Sequence, residues 1–218
     1  MVVTVETMEH PIRFPPGETG AECPLPDWEK LRTIKRYRME CQLAGTRQLP
    51  PCPQIKAYRP ELLEAHAEVL VNAFVNSPDL GLFPGLGSTF GCQAIMEAIV
   101  AQSSFLPGAT LLAVDERQNP VASIQAMSQR QEGLIMNVGV VPSARGQGWG
   151  KKILQASLDS MARDGLAFAS LEVSGGNQSA LNLYRGAGFR KTRVQYLPLQ
   201  DLERPDRPGF WDLPLDLW

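Results

Sequence analysis

The clearest change of periodicity along the chain lies at residue 142, where a strand pattern gives way to a helix pattern. Residues 134–141 form a nearly continuous apolar run, which is typical of a buried strand. Pro142 ends this run, because proline cannot donate a hydrogen bond to a sheet ladder. Apolar residues then recur at helical spacing, up to a stop near residue 165, at Ile153, Leu154, Leu158 and Met161. The pattern predicts a strand, a glycine turn and a helix.

From residue 54 onward, short strand patterns alternate with longer helix patterns. Strands are predicted over residues 55–58, 110–114, 121–127, 167–173, 188–196 and 210–218. Further helices are predicted over residues 60–74, 88–103 and 177–186. The order of these segments predicts a mixed α/β sheet with one crossover connection.

The segment before residue 54 has a different character, since it holds eight of the 18 prolines. We expect residues 1–53 to be a Pro-rich extension that wraps the surface rather than a packed domain. A short helix is predicted inside it, because Asp27 is a suitable cap and apolar residues follow at a spacing of three: Trp28, Leu31 and Ile34. Its other face would be basic, with Lys30, Arg32, Lys35, Arg36 and Arg38. We expect a solvated face on a docking helix, and the alternative is a contact for an acidic partner.

Two long loops interrupt the regular pattern. Residues 76–87 are rich in Gly and Pro yet apolar, which predicts a loop that is buried or used for binding. Residues 198–208 are polar and carry both signs of charge.

Composition narrows the class of protein. A chain of 218 residues is long enough for one domain with a sizeable core and some additional chain. The net charge of -2 creates no basic field that would attract nucleic acid. The chain has no apolar run long enough for a membrane span and no visible secretory signal. We therefore expect a cytoplasmic protein that binds neither nucleic acid nor membrane.

Cysteine and histidine are sparse and scattered. The four cysteines contain no C-x-x-C pair, and only two histidines, His10 and His66, are present. We expect reduced cysteines and no metal site. His66 is expected to be a packed or exposed residue of its helix rather than a catalytic one.

The glycine turn is the strongest candidate for a binding site. Glycine occurs at alternate positions, at Gly146, Gly148 and Gly150, immediately before the helix. Glycines let a ligand approach the backbone closely, and the first amides of a helix lack partners and carry partial positive charge. The turn therefore predicts an anion site, to which Arg145 and the two lysines at 151 and 152 add charge.

Two common phosphate motifs do not fit this turn. A dinucleotide fingerprint would need glycine at residue 151, and a P-loop would need glycine at residue 145. The pattern R-x-x-G-x-G does fit, with Arg145, Gly148 and Gly150. In this position it resembles the pyrophosphate motif of the GCN5-related N-acetyltransferases, the GNAT superfamily.

A second stretch carries the same resemblance. After the strand at 167–173, the sequence has Asn177, Ala180, Leu183, Tyr184, Gly188 and Phe189, as in the Asn, Tyr and Gly-Phe positions of the family. The Leu-Glu-Val before it is similar to the ribosomal-protein alanine N-acetyltransferases. The resemblance covers about residues 54–197, and it implies an acetyltransferase domain over residues 54–218.

The resemblance implies both a fold and a cofactor. The expected fold is a mixed, mostly antiparallel sheet of six to seven strands with about four helices and a central splayed strand pair. The expected cofactor is acetyl-CoA. The residues implied in binding coenzyme A are Gly139, Val140, Val141, Arg145, Gly146, Gln147, Gly148, Trp149, Gly150, Lys151, Asn177 and Tyr184.

The implied reaction is direct transfer of an acetyl group to a primary amine. Tyr184 is implied as the acid that protonates the leaving thiolate, and Glu172, twelve residues earlier, as the base. A carboxylate suits that role because a free amine is protonated at neutral pH. A backbone amide among residues 139–141 is implied as the donor to the developing oxyanion.

Two alternatives to this enzyme remain at the level of sequence. One is a non-catalytic acyl-CoA-binding or regulatory module on the same fold, and the other is a nucleotide-binding domain that uses the same turn. The residues do not identify the acceptor amine, which could be a small molecule, a peptide N-terminus or a lysine, and they are compatible with a homodimer.

Overall fold

The structure, a computed structural model, describes residues 33–44 and 52–198. The strands in this part of the chain are β1 Thr33–Gln42, β2 Ile55–Ala57, β3 Leu111–Val114, β4 Pro120–Gln129, β5 Glu132–Val140, β6 Phe168–Ser174 and β7 Arg190–Pro198. The α-helices are α1 Leu63–Phe74, α2 Thr89–Val100, α3 Trp149–Arg163 and α4 Gln178–Gly186. Short 3-10 helices lie at Pro60–Leu62, Pro78–Gly81, Pro84–Gly87 and Pro142–Ala144. The predicted elements that fall within residues 52–198 are therefore present.

The seven strands form one mixed sheet, in the order β2-β3-β4-β5-β6-β1-β7. Neighbouring strands in it are antiparallel except β5 and β6, which are parallel and are joined through α3. The predicted fold class, a mostly antiparallel mixed sheet with one crossover, is confirmed.

Each face of the sheet has its own hydrophobic core. On one face, α3 packs its apolar stripe, including Ile153, Leu154 and Leu158, against strand residues such as Leu171. On the other face, α1 and α2 pack together through a second cluster that includes Leu70 and Ile95. Burial on both faces explains why the central strands read as nearly continuous apolar runs.

The central strands β5 and β6 separate part of the way along their length. Their pairing runs from Glu132 opposite Phe168 to Ile135 opposite Leu171, and both strands continue beyond it. A register shift in β5 adds to this divergence, since Ile135 and Asn137 oppose the adjacent residues Ala126 and Gln125 of β4. Met136 is thus the extra residue of a bulge, which bends the strand. The gap that results is the expected splay of the central strand pair.

Strand β1 corrects one sequence prediction. Residues 33–42 form a strand between β6 and β7, where we expected part of a basic helix. Alternation explains the strand: Tyr37, Met39 and Cys41 pack into the core on the α3 side. The intervening Arg36 and Arg38 face the opposite side of the sheet, so their charge does not belong to a solvated helix face. Since β1 lies in the central sheet, the domain boundary at residue 53 is wrong for residues 33–44.

The other expectations about the chain ends fall outside the described residues. These are the rest of the N-terminal extension with its helix start, most of the loop 198–208, and the strand 210–218. Over the described ranges, none of the helices has the length and hydropathy that crossing a bilayer requires.

Candidate active site

The glycine turn connects β5 to α3 through the 3-10 helix Pro142–Ala144. Gly146 and Gly148 adopt left-handed backbone conformations, with φ of 76° and 84°, which side-chain-bearing residues rarely adopt. Gly148 is also the N-cap of α3, so no side chain of the cap satisfies the first helical amides. A Cβ added at either glycine would meet no atom within 4 Å, so the space in front of the turn is open. Open helix amides at a glycine turn are a site for an anion.

A large cleft lies in front of this turn and along the separated end of β5. Its volume is about 720 Å³. It brings together most of the residues predicted to bind the cofactor: Gly139, Val140, Arg145, Gly146, Gly148, Trp149, Gly150, Lys151, Asn177 and Tyr184. Two predicted residues, Val141 and Gln147, do not line the cleft. The side-chain amide of Gln147 donates a hydrogen bond to Ser143 O at 3.0 Å instead.

Arg145 does not point its guanidinium freely into this cleft. Its Nε donates to Val140 O at 3.2 Å, and its Nη2 donates to Ala73 O at 2.8 Å. Ala73 lies in the last turn of α1, where carbonyl groups lack helical partners and carry partial negative charge. Arg145 therefore holds the end of β5 against the end of α1, and its contribution to the cleft is first of all structural.

The splay leaves backbone groups of β5 facing the gap. Val141 donates its N–H to Val121 O at 3.0 Å, toward β4. Because N–H groups alternate sides along a strand, those of Val138 and Val140 point away from β4. Gly139 lies between them, and a Cβ there would come within 2.9 Å of Ala73 Cβ. The glycine thus lets α1 pack closely against the strand that carries the free amides.

Helix α4 closes the other side of the cleft. Asn177 caps it, and its Oδ1 accepts the N–H of Ala180 at 3.1 Å. Tyr184 is buried, with its ring centroid 5.9 Å from that of Phe189. Burial raises the pKa of its hydroxyl above the ordinary value, and the carboxylate of Asp79 raises it further, while Arg36 has the opposite effect. The phenol is therefore protonated at neutral pH and can donate a hydrogen bond.

Glu172 lies elsewhere than the large cleft. Its Oε2 is 3.3 Å from Arg36 Nε, and its Oε1 accepts a hydrogen bond from Gln195 Nε2 at 2.8 Å. It borders a second, smaller cavity of about 60 Å³ on the α1 and α2 side of the sheet. This small cavity is lined by Arg36, Arg38, Phe83, Leu134, Ile135, Met136, Asn137, Ser170, Leu171 and Glu172. The structure therefore does not place Glu172 and Tyr184 in the same cavity.

Sequence reasoning missed two groups near Tyr184. Asp79, from the apolar loop 76–87, is buried, and its Oδ1 accepts the hydroxyl of Ser174. The second group is Arg36, which was assigned to a helix face and instead contacts Glu172. A signal for Asp79 was available, since it is the one carboxylate in an otherwise apolar loop.

His66 packs away from both cavities. It is fully buried in α1, with Nδ1 2.7 Å from Ser123 Oγ, and burial lowers its pKa to about 4. It is a packed histidine, one of the two outcomes expected for it. No group of three potential metal ligands occurs within the described ranges.

Comparison with known proteins agrees with this architecture. The model of the acetyltransferase (GNAT) family matches residues 90–189. The mycothiol acetyltransferase of Renibacterium salmoninarum is 28% identical over 177 residues, which cover 75% of this chain and 49% of that protein. The ribosomal protein bS18-alanine N-acetyltransferase of Haemophilus ducreyi is 30% identical over 91 residues, or 41% of this chain and 63% of that protein. The chain thus spans about half the length of the mycothiol acetyltransferase.

Solved structures show the same fold at low sequence identity. A GCN5-related N-acetyltransferase from Sphaerobacter thermophilus has a TM-score of 0.60 at 23% identity, over 76% of this chain and 50% of that one. The PaiA N-acetyltransferase from Thermoplasma acidophilum, in complex with coenzyme A, has a TM-score of 0.52 at 17% identity, over 62% of this chain and 88% of that one.

Proposed function

Because the chain belongs to the GNAT superfamily of acetyltransferases, we propose that it transfers the acetyl group of acetyl-CoA to a primary amine. The observation that carries this proposal is the glycine turn, with two left-handed glycines at the uncapped start of α3, opening into the large cleft. Such a turn suits a diphosphate, since several amides converge on it without competing side chains.

The proposed binding mode uses backbone groups more than side chains. Residues 146–151 would hold the diphosphate of coenzyme A, and the N–H groups of Val138 and Val140 in the gap would pair with its pantetheine arm. Asn177 and Tyr184 border the arm from α4. The cofactor supplies an activated acetyl thioester, and this chain orients it and excludes water from it.

Tyr184 is proposed as the group that donates a proton or hydrogen bond to the departing sulfur. Its burial and its raised pKa keep the hydroxyl protonated at neutral pH, as a donor must be. The resemblance also implies Glu172 as the base. Since both of its oxygens are engaged by Arg36 and Gln195, we propose instead that Glu172 contributes negative charge to the acceptor side, at the wall of the small cavity.

The acceptor is proposed only as a class, a primary amine. Among the relatives, one is a ribosomal protein bS18-alanine N-acetyltransferase and another is a mycothiol acetyltransferase. A peptide with an N-terminal alanine is therefore the first amine to test. The panel also includes an N-blocked lysine peptide, spermidine, glucosamine and an aminoglycoside.

A pair of glycine variants tests the cofactor site. Gly148→Ala places a methyl group in the cleft, whereas Gly165→Ala places one just after the end of α3, outside the cleft. The two glycines are matched, because Gly165 has a similar backbone conformation, with φ of 82°, and open space around it. Both should lose about 1 kcal/mol of stability from backbone strain. Calorimetry should show coenzyme A binding weakened about 10-fold, or about 1.4 kcal/mol, in Gly148→Ala alone.

Two outcomes would count against this function. Equal coenzyme A affinity in both glycine variants would place the diphosphate elsewhere. Tight binding of coenzyme A by the wild type, without acetylation of any amine in the panel by mass spectrometry, would favour the alternative, an acyl-CoA-binding module.

A further inference from the structure

The two cavities meet at a short stretch of the gap between β5 and β6. Strand β5 lines the small cavity as far as Asn137 and the large cleft from Val138 onward. The loop 76–87 lines the large cleft with Ser77 and the small cavity with Phe83. A cofactor thioester that enters from one side and an amine that enters from the other would meet at this junction.

Two hydrogen-bonded residues are buried between the chain segments that line the two cavities. Asp79 lies between Ser77 and Phe83 on the loop, and Ser174 lies on β6 between Glu172, at the small cavity, and Gly176, at the large cleft. Asp79 Oδ1 accepts the hydroxyl of Ser174, and its Oδ2 accepts the hydroxyl of Ser77, 3.2 Å away. The carboxylate is therefore held by hydroxyl groups from two separate segments, the loop and β6.

The partners of Asp79 differ in kind from those of Glu172. Its contacts are with hydroxyl groups, which can donate to a carboxylate and can equally accept from a protonated one. Glu172 is in contact with the guanidinium of Arg36 and the side-chain amide N–H of Gln195, groups that donate hydrogen bonds and cannot accept them. Asp79 also lies near Tyr184, since its charge acts on the phenol.

We propose, on the premise of the amine acetyltransferase function, that Asp79 is the catalytic residue that accepts the proton of the attacking amine. Proton transfer occurs directly or through the Ser174 hydroxyl, which gives its own proton to Asp79 as it takes one from the amine. Glu172 is still proposed to contribute negative charge at the wall of the small cavity, where the acceptor amine enters.

The proton balance of this step is complete. The acceptor arrives as an ammonium ion, and Asp79 takes one proton, which frees the nitrogen lone pair. The nitrogen bonds to the carbonyl carbon while the carbon–sulfur bond breaks, with its electron pair left on sulfur. A second nitrogen proton is lost as the sulfur gains one by way of the Tyr184 hydroxyl, and Asp79 releases its proton to water. The products are an amide, a thiol and one proton.

The test is the pH dependence of kcat/KM in Asp79→Asn, with the best amine of the panel as acceptor. Asparagine keeps the size and both hydrogen-bond positions but cannot take a proton. At pH 7 we expect a loss of about 100-fold, a value typical of a general base. At a pH about one unit above the pKa of the amine, which is about 8 for a peptide N-terminus, we expect a loss below about 5-fold, because the amine is then already neutral.

Three variants serve as controls. Asp115→Asn alters an exposed turn carboxylate that bonds to Asn119, and it should leave kcat/KM unchanged at both pH values. Glu172→Gln should show its loss in the KM of the amine rather than in kcat, and this loss should shrink at the higher pH, where the amine is neutral. Asp79→Glu keeps a carboxylate, so its kcat/KM should fall by less than about 10-fold. This variant also keeps the proposal testable if Asp79→Asn does not fold.

The opposite results would overturn the assignment. A deficit of Asp79→Asn that is equal at both pH values would mean a purely structural role, as would a loss in Asp79→Glu as large as that in Asp79→Asn. A loss of kcat in Glu172→Gln that disappears at the higher pH would return the role of base to that residue. Failure of the acetyltransferase function itself would appear in the wild type, as coenzyme A binding without any amine turnover.

Discussion

The large cleft and the small cavity lie on either side of one gap in the sheet, yet they are built in different ways. The large cleft is made mainly from backbone: a glycine turn, the free edge of β5 and the start of two helices. The small cavity is made from side chains, with Arg36, Arg38 and Glu172 beside apolar residues. A backbone site suits a ligand that is the same throughout a superfamily, whereas a side-chain site can be changed to suit one acceptor.

This contrast has a consequence for substitutions. Changes at the junction should affect the rate, changes in the large cleft should affect affinity for coenzyme A, and changes in the small cavity should affect affinity for the acceptor. A variant that changes the rate and both affinities together would argue against this separation of roles.

Removing the hydroxyl of Tyr184 should have the largest effect. We expect Tyr184→Phe to lower kcat by about 100-fold, because a proton donor to the sulfur is lost. The dissociation constant for coenzyme A, measured by calorimetry, should change by no more than about twofold, because the buried ring remains. The matched control is Tyr58→Phe, since Tyr58 lines neither cavity and packs against Phe105 and His66. A weakened affinity for coenzyme A without a rate effect would make Tyr184 a binding residue.

The next effect is on stability. It comes from His66, which lines neither cavity, so it makes the free energy of unfolding depend on pH independently of any chemistry in the cavities. Burial lowers the pKa of His66 from 6.5 to about 4, so the folded state keeps the ring neutral while the unfolded state gains a proton below pH 6.5. The stabilisation is complete above the unfolded pKa, and it is lost as the pH falls from 6.5 to about 4. Between pH 7 and pH 5 we expect the free energy of unfolding to fall by about 2 kcal/mol from this group.

Urea unfolding at the two pH values measures this loss, and His66→Gln provides the comparison. The glutamine variant can keep a hydrogen bond to Ser123 but has no proton to gain, so its pH dependence should be smaller by about 2 kcal/mol. An identical pH dependence in the two proteins would assign acid sensitivity to other groups.

The smallest effect is expected at the small cavity. Glu172→Gln should raise the KM of the amine by about 10-fold, because a negative charge that attracts a cationic acceptor is removed. Affinity for coenzyme A should not change, since Glu172 does not line the large cleft. Steady-state kinetics with each substrate varied in turn provides the measurement. An increase in the KM of acetyl-CoA instead would mean that the two cavities are not separate sites.

The strand that sequence analysis missed shows how two periodicities compete. The spacing of three among Trp28, Leu31 and Ile34 predicts a helix with a basic face. The residues from Arg36 to Gln42 alternate strictly between polar and apolar, which is the signal for a strand. Because most of the polar positions are charged, they resemble a solvated surface, although Arg36 and Arg38 line a cavity in the fold.

The sequence by itself determined the order of elements from residue 54 to residue 198 and the position of the glycine turn. It could do so because strand and helix periodicity, proline stops and left-handed glycines are local properties of the backbone. Only the tertiary structure decided what surrounds the proposed reaction centre. Asp79, Ser174, Arg36 and Tyr184 come from four separate segments, and the sheet brings them together by pairing β1 with β6 and by packing a loop against the gap. Side-chain contacts between distant segments depend on that pairing, which no local pattern records.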